Sequence, residues 1–444
     1  MLIRVCPDSF FSVFLRLSGK RFRLLCVCLY ESALDRQIQN KQTMNKKLLL
    51  VLALAYTTLC NGQKAETIES IVANQHEAEW YGQQAQAWQE KVNADPKDQW
   101  GWRNLFRATF YHDMFTNAWK DDQDASATAD VIRRMEAAVP DSYVLNLSKC
   151  RFCLKTDSAA INGTNLLRAI GQIPDDACSE DITYLAAQAW LNADKIPETK
   201  ISELFRLAYT KKAIPERIMR YNWNMLQSIA QDGIYFGNGD NCLIPMKMLQ
   251  EALGIRKDVT IVPEPFLFKK EFASHLWKEM KIESVEYPDF SNYGKYGQDW
   301  GDYFLGDIVR QIIEKSDRPV YFFSDHANRR VADEDSMYNE GLLLRYSNHK
   351  YDNFAVAMHN VRDVYHLEYL AEPDLVHDSW ESSDRMDMNN VALLAHLIDK
   401  FRKNGEDKEA RRLYDILNTC VKRSNVHPER KKMMEQTLEF WNNK

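Results

Sequence analysis

A chain of 444 residues in which 45% of side chains are hydrophobic and 27% charged carries enough apolar material for more than one full core, which excludes a disordered protein. Its 57 basic and 63 acidic residues leave a net charge of −6, so no broad basic field for nucleic acid exists.

The chain opens with two successive beginnings. Met44-Asn45-Lys46-Lys47 is a basic start, Leu48 to Tyr56 an apolar core, and Thr57 to Gln63 a small or polar exit. That order reads as a secretory signal over residues 44–62, with a core too short to span a bilayer. Such signals sit at an amino terminus, so Met44 is the expected initiator and residues 1–43 an upstream translation artefact. A genuine extension is the alternative, since Phe10 to Leu17 and Leu24 to Leu29 are also apolar. Cleavage near Gly62-Gln63 releases an exported chain with no transmembrane span, expected in the periplasm or at the envelope of a Gram-negative bacterium. Lipidation of Cys60 is the competing outcome. Of nine cysteines, Cys150, Cys153, Cys178, Cys242 and Cys420 follow Gln63, an odd number that cannot pair completely. Cys150 and Cys153 form a lone CxxC in a helical pattern, which reads as two buried thiols before a metal or redox site.

Residues 63–230 show helical periods. One helix ends at Asp95-Pro96, and Trp100, Trp102, Leu105, Phe106, Ala108 and Tyr111 open the next. The alternation of small and large apolar residues around that break resembles a junction between tetratricopeptide repeats, although no 34-residue period survives. A degenerate array of this kind displays a curved surface for a protein partner. Trp80, Trp88, Trp100, Trp102 and Trp119 are either peptide platforms or core.

Residues 231–378 change character. Ile234 to Phe236, the Gly237-Asn238-Gly239 turn, an amphipathic helix ending at Gly254 and the Val259–Val262 run make one βαβ unit. Amphipathic helices over Phe266 to Met280 and Tyr303 to Lys315 follow, and Val320 to Phe323 and Leu342 to Tyr346 read as further strands. The expectation is a small, mostly parallel three-layer α/β module of three or four strands. In residues 385–444, Val391 to Phe401 and Ala410 to Val421 form facing apolar stripes around Gly405, a tetratricopeptide-type helical hairpin. Pro428 then opens a last helix. The fold class is thus an α-helical array, a small α/β module and a closing helix pair.

The words GNGDNCLIPMKMLQEALGIRKDVTIV, RPVYFF, EGLLLRY and NNVALLAHLIDKFRKNGEDKEARRLYDIL together resemble the soluble carboxy-terminal part of the bacterial protein O-mannosyltransferase-like membrane proteins. The similarity runs from Asp232 to Leu417 and is most specific at Asn238-Gly239-Asp240-Asn241, Pro245, Gln250-Glu251, Gly254, Arg256 and Asp258-Val259. It implies the fold and the closing helix pair. The multispan membrane region, where that family's glycosyl transfer is expected, has no counterpart here, so the resemblance does not carry the transferase activity.

Ligands of open parallel sheets gather at the carboxyl ends of strands. Those ends offer Asn238, Asp240 and Asn241, then Glu264, then Asp325 and His326. Asp240, Glu264, Asp325 and His326 are the residue types for acid–base hydrolysis or for holding a divalent ion. Asp240 suits a turn or helix-start role better, and His326 a solvated loop better than a ligand role. Three glycines at dinucleotide spacing are missing, as are a phosphate loop and an HExxH, so no cofactor and no metal are expected. Tyr293, Tyr296 and Trp300 among glycines have the composition of a carbohydrate-stacking surface or of a packed loop. The leading expectation is an exported, non-catalytic accessory protein that binds a protein or glycosylated partner. The alternative is a sugar-handling or metal-assisted hydrolase.

Overall fold

Asp95 leaves the helical region (φ −132°, ψ 91°) because the proline after it crowds the α conformation, and the first helix stops there. The computed structural model describes residues 64–119, 122–152, 159–282, 285–323, 336–372, 378 and 380–443, without the side chains of 159–162. The expectations for residues 1–43, for the signal at 44–62, and for Cys60, Cys153, Asp325 and His326 lie outside the described residues. The described chain divides into two compact units: residues 64–68 with 76–172, and residues 69–75 with 173–443.

The first unit is helical. Helix α1 (Ala78–Ala94) packs along α2 (Gln99–Thr116), and α3 (Ala127–Ala138), α4 (Tyr143–Arg151) and α5 (Ala159–Gly171) follow. Ser126 and Ser142 start α3 and α4 by accepting the Ala129 and Leu145 amides. Trp88 and Trp102 are buried, and their indole N–H groups donate to the carbonyls of Glu66 (2.7 Å) and Pro96 (3.0 Å). Trp119 packs on Phe110 and Phe152, and Trp80 stacks on His76 at 3.8 Å. Trp100 is 44% exposed beneath the Arg103 guanidinium.

The second unit begins with α6 (Ser179–Leu191), α7 (Glu198–Thr210) and α8 (Glu216–Ser228). Its centre is the expected crossover: β1 (Ile234–Gly237), α9 (Asp240–Leu253) and β2 (Thr260–Pro263). Gly254 closes α9 at φ 69°, a left-handed position where a side chain would be strained. A 3-10 turn over Glu264–Phe268, α10 (Lys270–Glu279), 3-10 turns over Phe290–Asp299 and α11 (Trp300–Lys315) lead to β3 (Val320–Phe322). Strand β1 lies parallel between β2 and β3, and Ile234, Tyr235 and Phe236 are fully buried there.

The sheet is mixed rather than mostly parallel, and among the described residues it has five strands in the order β2-β1-β3-β5-β4. Strands β4 (Met337–Asn339) and β5 (Leu344–Tyr346) pair antiparallel with one another, and β5 runs antiparallel to β3. Only four residues separate β4 from β5, too few for the crossover that parallel neighbours need, so the segment folds as a hairpin. No strand is expected over β4 from the sequence, since Met337-Tyr338-Asn339 is short and nowhere fully buried.

After α12 (Asn353–His359) the chain ends in α13 (Glu381–Leu394), α14 (Leu397–Lys403), α15 (Asp407–Arg423) and α16 (Pro428–Asn442). Gly405, at φ 78°, makes the turn between α14 and α15 where the pattern placed it. Buried charge joins these helices to α8: Arg217 donates to Asp387 and Asp384 of α13, and Arg423 of α15 reaches Asp387 at 3.0 Å. Burial raises the Asp387 carboxyl above its ordinary value, against the pull of Arg217 and Arg423.

Candidate functional site

The residues that carry the sequence word around α9 are occupied by architecture. Proline at 245 has no amide to give the Asn241 carbonyl one turn earlier. The fully buried Asn222 of α8 supplies the missing donor, its Nδ2 lying 2.7 Å from that carbonyl. Gln250 Nε2 donates to the carbonyls of Arg256 (2.9 Å) and Val259 (2.7 Å), fixing the turn after α9. Burial alone would raise the Glu251 carboxyl, but Lys247, Ser202 and Lys257 hold it below its ordinary value. Arg256 spans the carboxyl end of α8, donating to the carbonyls of Leu226, Gln227, Ile229 and Ala230, while Asp258 grips its other edge at 2.9 and 2.7 Å. The Asp258 carboxyl is pulled down by that hydrogen bond from Arg256.

The described strand-end residues occupy contrasting environments. Asn238 is half-buried, Asp240 is an exposed first-turn residue of α9, and Asn241 lends its carbonyl to Asn222. Glu264 follows β2 and is 4% exposed; burial, with the charge of Asp302, pushes its carboxyl up to about 8. Asp325 and His326 lie outside the described residues, so only half of the expected acidic set has a described position. Among the described residues no group of three or more His, Cys, Asp or Glu side chains is arranged to hold a metal ion.

The aromatic loop spends its rings on itself. Tyr293 is buried and its hydroxyl donates to Asp307 at 2.6 Å. Trp300 meets Phe268 and Phe290 edge-on, and Tyr296 stacks on Tyr303 at 3.7 Å with the Lys295 ammonium 4.9 Å from its ring centre.

A groove of about 350 Å³ opens elsewhere on the second unit, among the ends of α7 and α9, the middle of α8 and the segment carrying His366. Met219, Trp223, Leu249 and Leu253 line it, with Tyr209 at one side. The Trp223 and His366 rings lie nearly parallel, 4.4 Å between centres at 23°. Asn224, fully buried, sets that stack: its Oδ1 accepts the His366 amide at 2.8 Å and its Nδ2 donates to the His366 carbonyl at 3.3 Å. Leu253 is 48% and Tyr209 38% exposed, so large apolar surface faces water at this spot. Glu216 and Arg220 pair at 3.0 Å along the rim.

Sequence reasoning did not find this groove. Helix α8 is apolar or buried around most of its circumference, so Trp223 does not stand out by period, and His366 lies 142 residues beyond Asn224. The described residues include no helix long and apolar enough to cross a membrane. No protein-family model, no curated protein and no solved structure matches the chain.

Proposed function

We propose that the chain is an exported, non-catalytic accessory protein of the bacterial envelope, which binds a protein or glycosylated partner through the groove at Trp223 and His366. The observation that carries this reading is the Trp223–His366 stack, an aromatic platform held ready by a buried side chain, Asn224, whose hydrogen bonds serve that loop. A site organised before its ligand arrives loses less free energy to ordering on binding. The resemblance to the soluble part of the O-mannosyltransferase-like proteins supports the envelope setting. The helical periods before and after the sheet segment support a reading of degenerate tetratricopeptide-type hairpins, a class that binds protein partners.

The test is a photo-crosslinking residue at Leu253 of the mature chain in its own envelope. One discrete adduct that disappears when Trp223→Ala is added supports the groove; adducts formed only from position 240 or 241 would remove it. One observation favours a second reading, a sugar-handling hydrolase: Glu264 is buried at the end of β2, and that burial pushes its carboxyl up to about 8, the direction a general acid needs. That reading requires hydrolytic turnover lost in Glu264→Gln.

A further inference from the structure

We propose that the groove takes a neutral sugar ring carried by a glycosylated partner, with the C–H face of the ring on the Trp223–His366 pair and its hydroxyls on the polar groups beside them. This rests on the groove reading above and decides between the two occupants that reading allows.

Free hydrogen-bonding groups make the first part of the case. Asn224 spends its side chain on the main chain of His366, so the imidazole nitrogens keep no hydrogen-bond partner among the described residues. The Trp223 indole N–H and the Tyr209 hydroxyl have none there either. Trp223 is half-buried and His366 and Tyr209 are exposed, so these groups meet water in the free protein. An occupant of the groove takes that water away, and each group it leaves unmatched weakens binding. An apolar side chain matches none of them. A hydroxyl both donates and accepts, so it satisfies an indole N–H, a phenol or either imidazole nitrogen.

Shape and charge make the second part. A pyranose carries hydroxyls around its edge and C–H groups across its faces, so it suits a flat apolar surface bordered by polar atoms. The stacked rings, 4.4 Å apart at 23°, together with Met219 and Leu249, make that surface. The lining's one carboxylate and one guanidinium, Glu216 and Arg220, meet through Oε1 and Nε at 3.0 Å, which balances their charge. Glu216 Oε2 and Arg220 Nη2 stay open among the described residues, a planar acceptor and a planar donor for neighbouring hydroxyls. A charged ligand finds no unpaired opposite charge in this lining, and a neutral one needs none. The volume of about 350 Å³ is at the small end for ligand sites and limits the occupant to a short saccharide.

The experiment titrates the mature chain, labelled at tryptophan indoles and at leucine and methionine methyls, with the methyl glycosides of glucose, mannose, galactose and N-acetylglucosamine. Sorbitol, an open-chain polyol without a C–H face, and blocked Gly-Phe-Gly are the comparison probes. The expected result is movement of the Trp223 indole and the Met219 and Leu249 methyl signals with at least one glycoside and with neither comparison probe. Trp223→Phe keeps a ring but removes the N–H, and Tyr209→Phe removes one exposed hydroxyl; each should weaken that glycoside about fivefold, read from the methyl signals. Unchanged affinity in both variants would overturn the role of the polar groups, and equal shifts with sorbitol would overturn that of the ring face. Shifts with Gly-Phe-Gly and none with any glycoside would overturn the sugar and leave the groove reading standing. No shift with any probe, while crosslinking from position 253 still gives its Trp223-dependent adduct, would overturn the sugar alone; no shift and no adduct would overturn both readings.

Discussion

Replacing Arg256 tests whether the sequence word around α9 encodes architecture. Its guanidinium bonds four main-chain carbonyls at the end of α8, at 3.1, 3.3, 2.7 and 3.1 Å, and is fixed by Asp258. The last carbonyls of a helix have no partner within it, so the arginine acts as a covalently attached cap. A hydrogen bond to a charged group contributes roughly 1.5–3 kcal/mol. Three of the four contacts are 3.1 Å or longer and the released carbonyls regain some water, so Arg256→Ala is expected to cost about 3 kcal/mol. Arg256→Lys keeps the charge but loses the fork, and should recover only about a third of that. Arg256 also sits at φ 47°, where a Cβ is strained, so Arg256→Gly should be milder than Arg256→Ala by about 1 kcal/mol. Urea unfolding, followed with hydrogen exchange of the amides from 226 to 234, reads all three variants. A loss under about 0.5 kcal/mol for Arg256→Ala, or full rescue by lysine, would refute the capping argument.

Asn222→Ala should cost about 1–2 kcal/mol in the parent and measurably less in a Pro245→Ala background, because alanine at 245 returns the amide that Asn241 lacks; equal costs in both backgrounds contradict the pairing. Glu264 has a native value near 8 against 4.5 when free, so its contribution is complete below about pH 4.5 and is lost as pH rises through 8. Glu264→Gln should therefore flatten the decline in stability between pH 5 and 9, by roughly 5 kcal/mol at most at 1.36 kcal/mol per pKa unit. Denaturation midpoints across that range check it, and parallel pH profiles would refute it. Burial raises the Cys242 and Cys420 thiols, so iodoacetamide at pH 8 should leave both unmodified in the folded chain while half-buried Cys178 reacts; mass spectrometry of the digests decides.

Local chemistry made several elements legible. Ile234 to Phe236 and Val320 to Phe322 are apolar without alternation because both strands are buried on both faces, and Gly254 and Gly405 mark turns that need left-handed backbone. Strand β4 was illegible because, among the described residues, it pairs with β5 alone and its three residues carry no period. In the aromatic loop, composition revealed the rings but not that Tyr296 and Tyr303 face each other. Glu264 was legible as a strand-end acid; its burial, which changes its chemistry, depends on Phe266, Leu267 and α11 packing around the β2 exit. The groove needs Tyr209, Trp223, Leu253 and His366 from four separate segments, and no local pattern in any one of them announces the other three.

The central claim is that binding resides at the Trp223–His366 groove and not at the carboxyl ends of the strands. Two paired variants of the mature chain, Trp223→Ala with Leu253→Asp and Asp240→Asn with Glu264→Gln, can be compared with the parent for retention of one defined partner, the protein crosslinked through position 253. The account predicts that the groove pair loses that partner at least tenfold while the strand-end pair keeps it, a difference of about 1.4 kcal/mol or more. Retention by the groove pair with loss in the strand-end pair would contradict it.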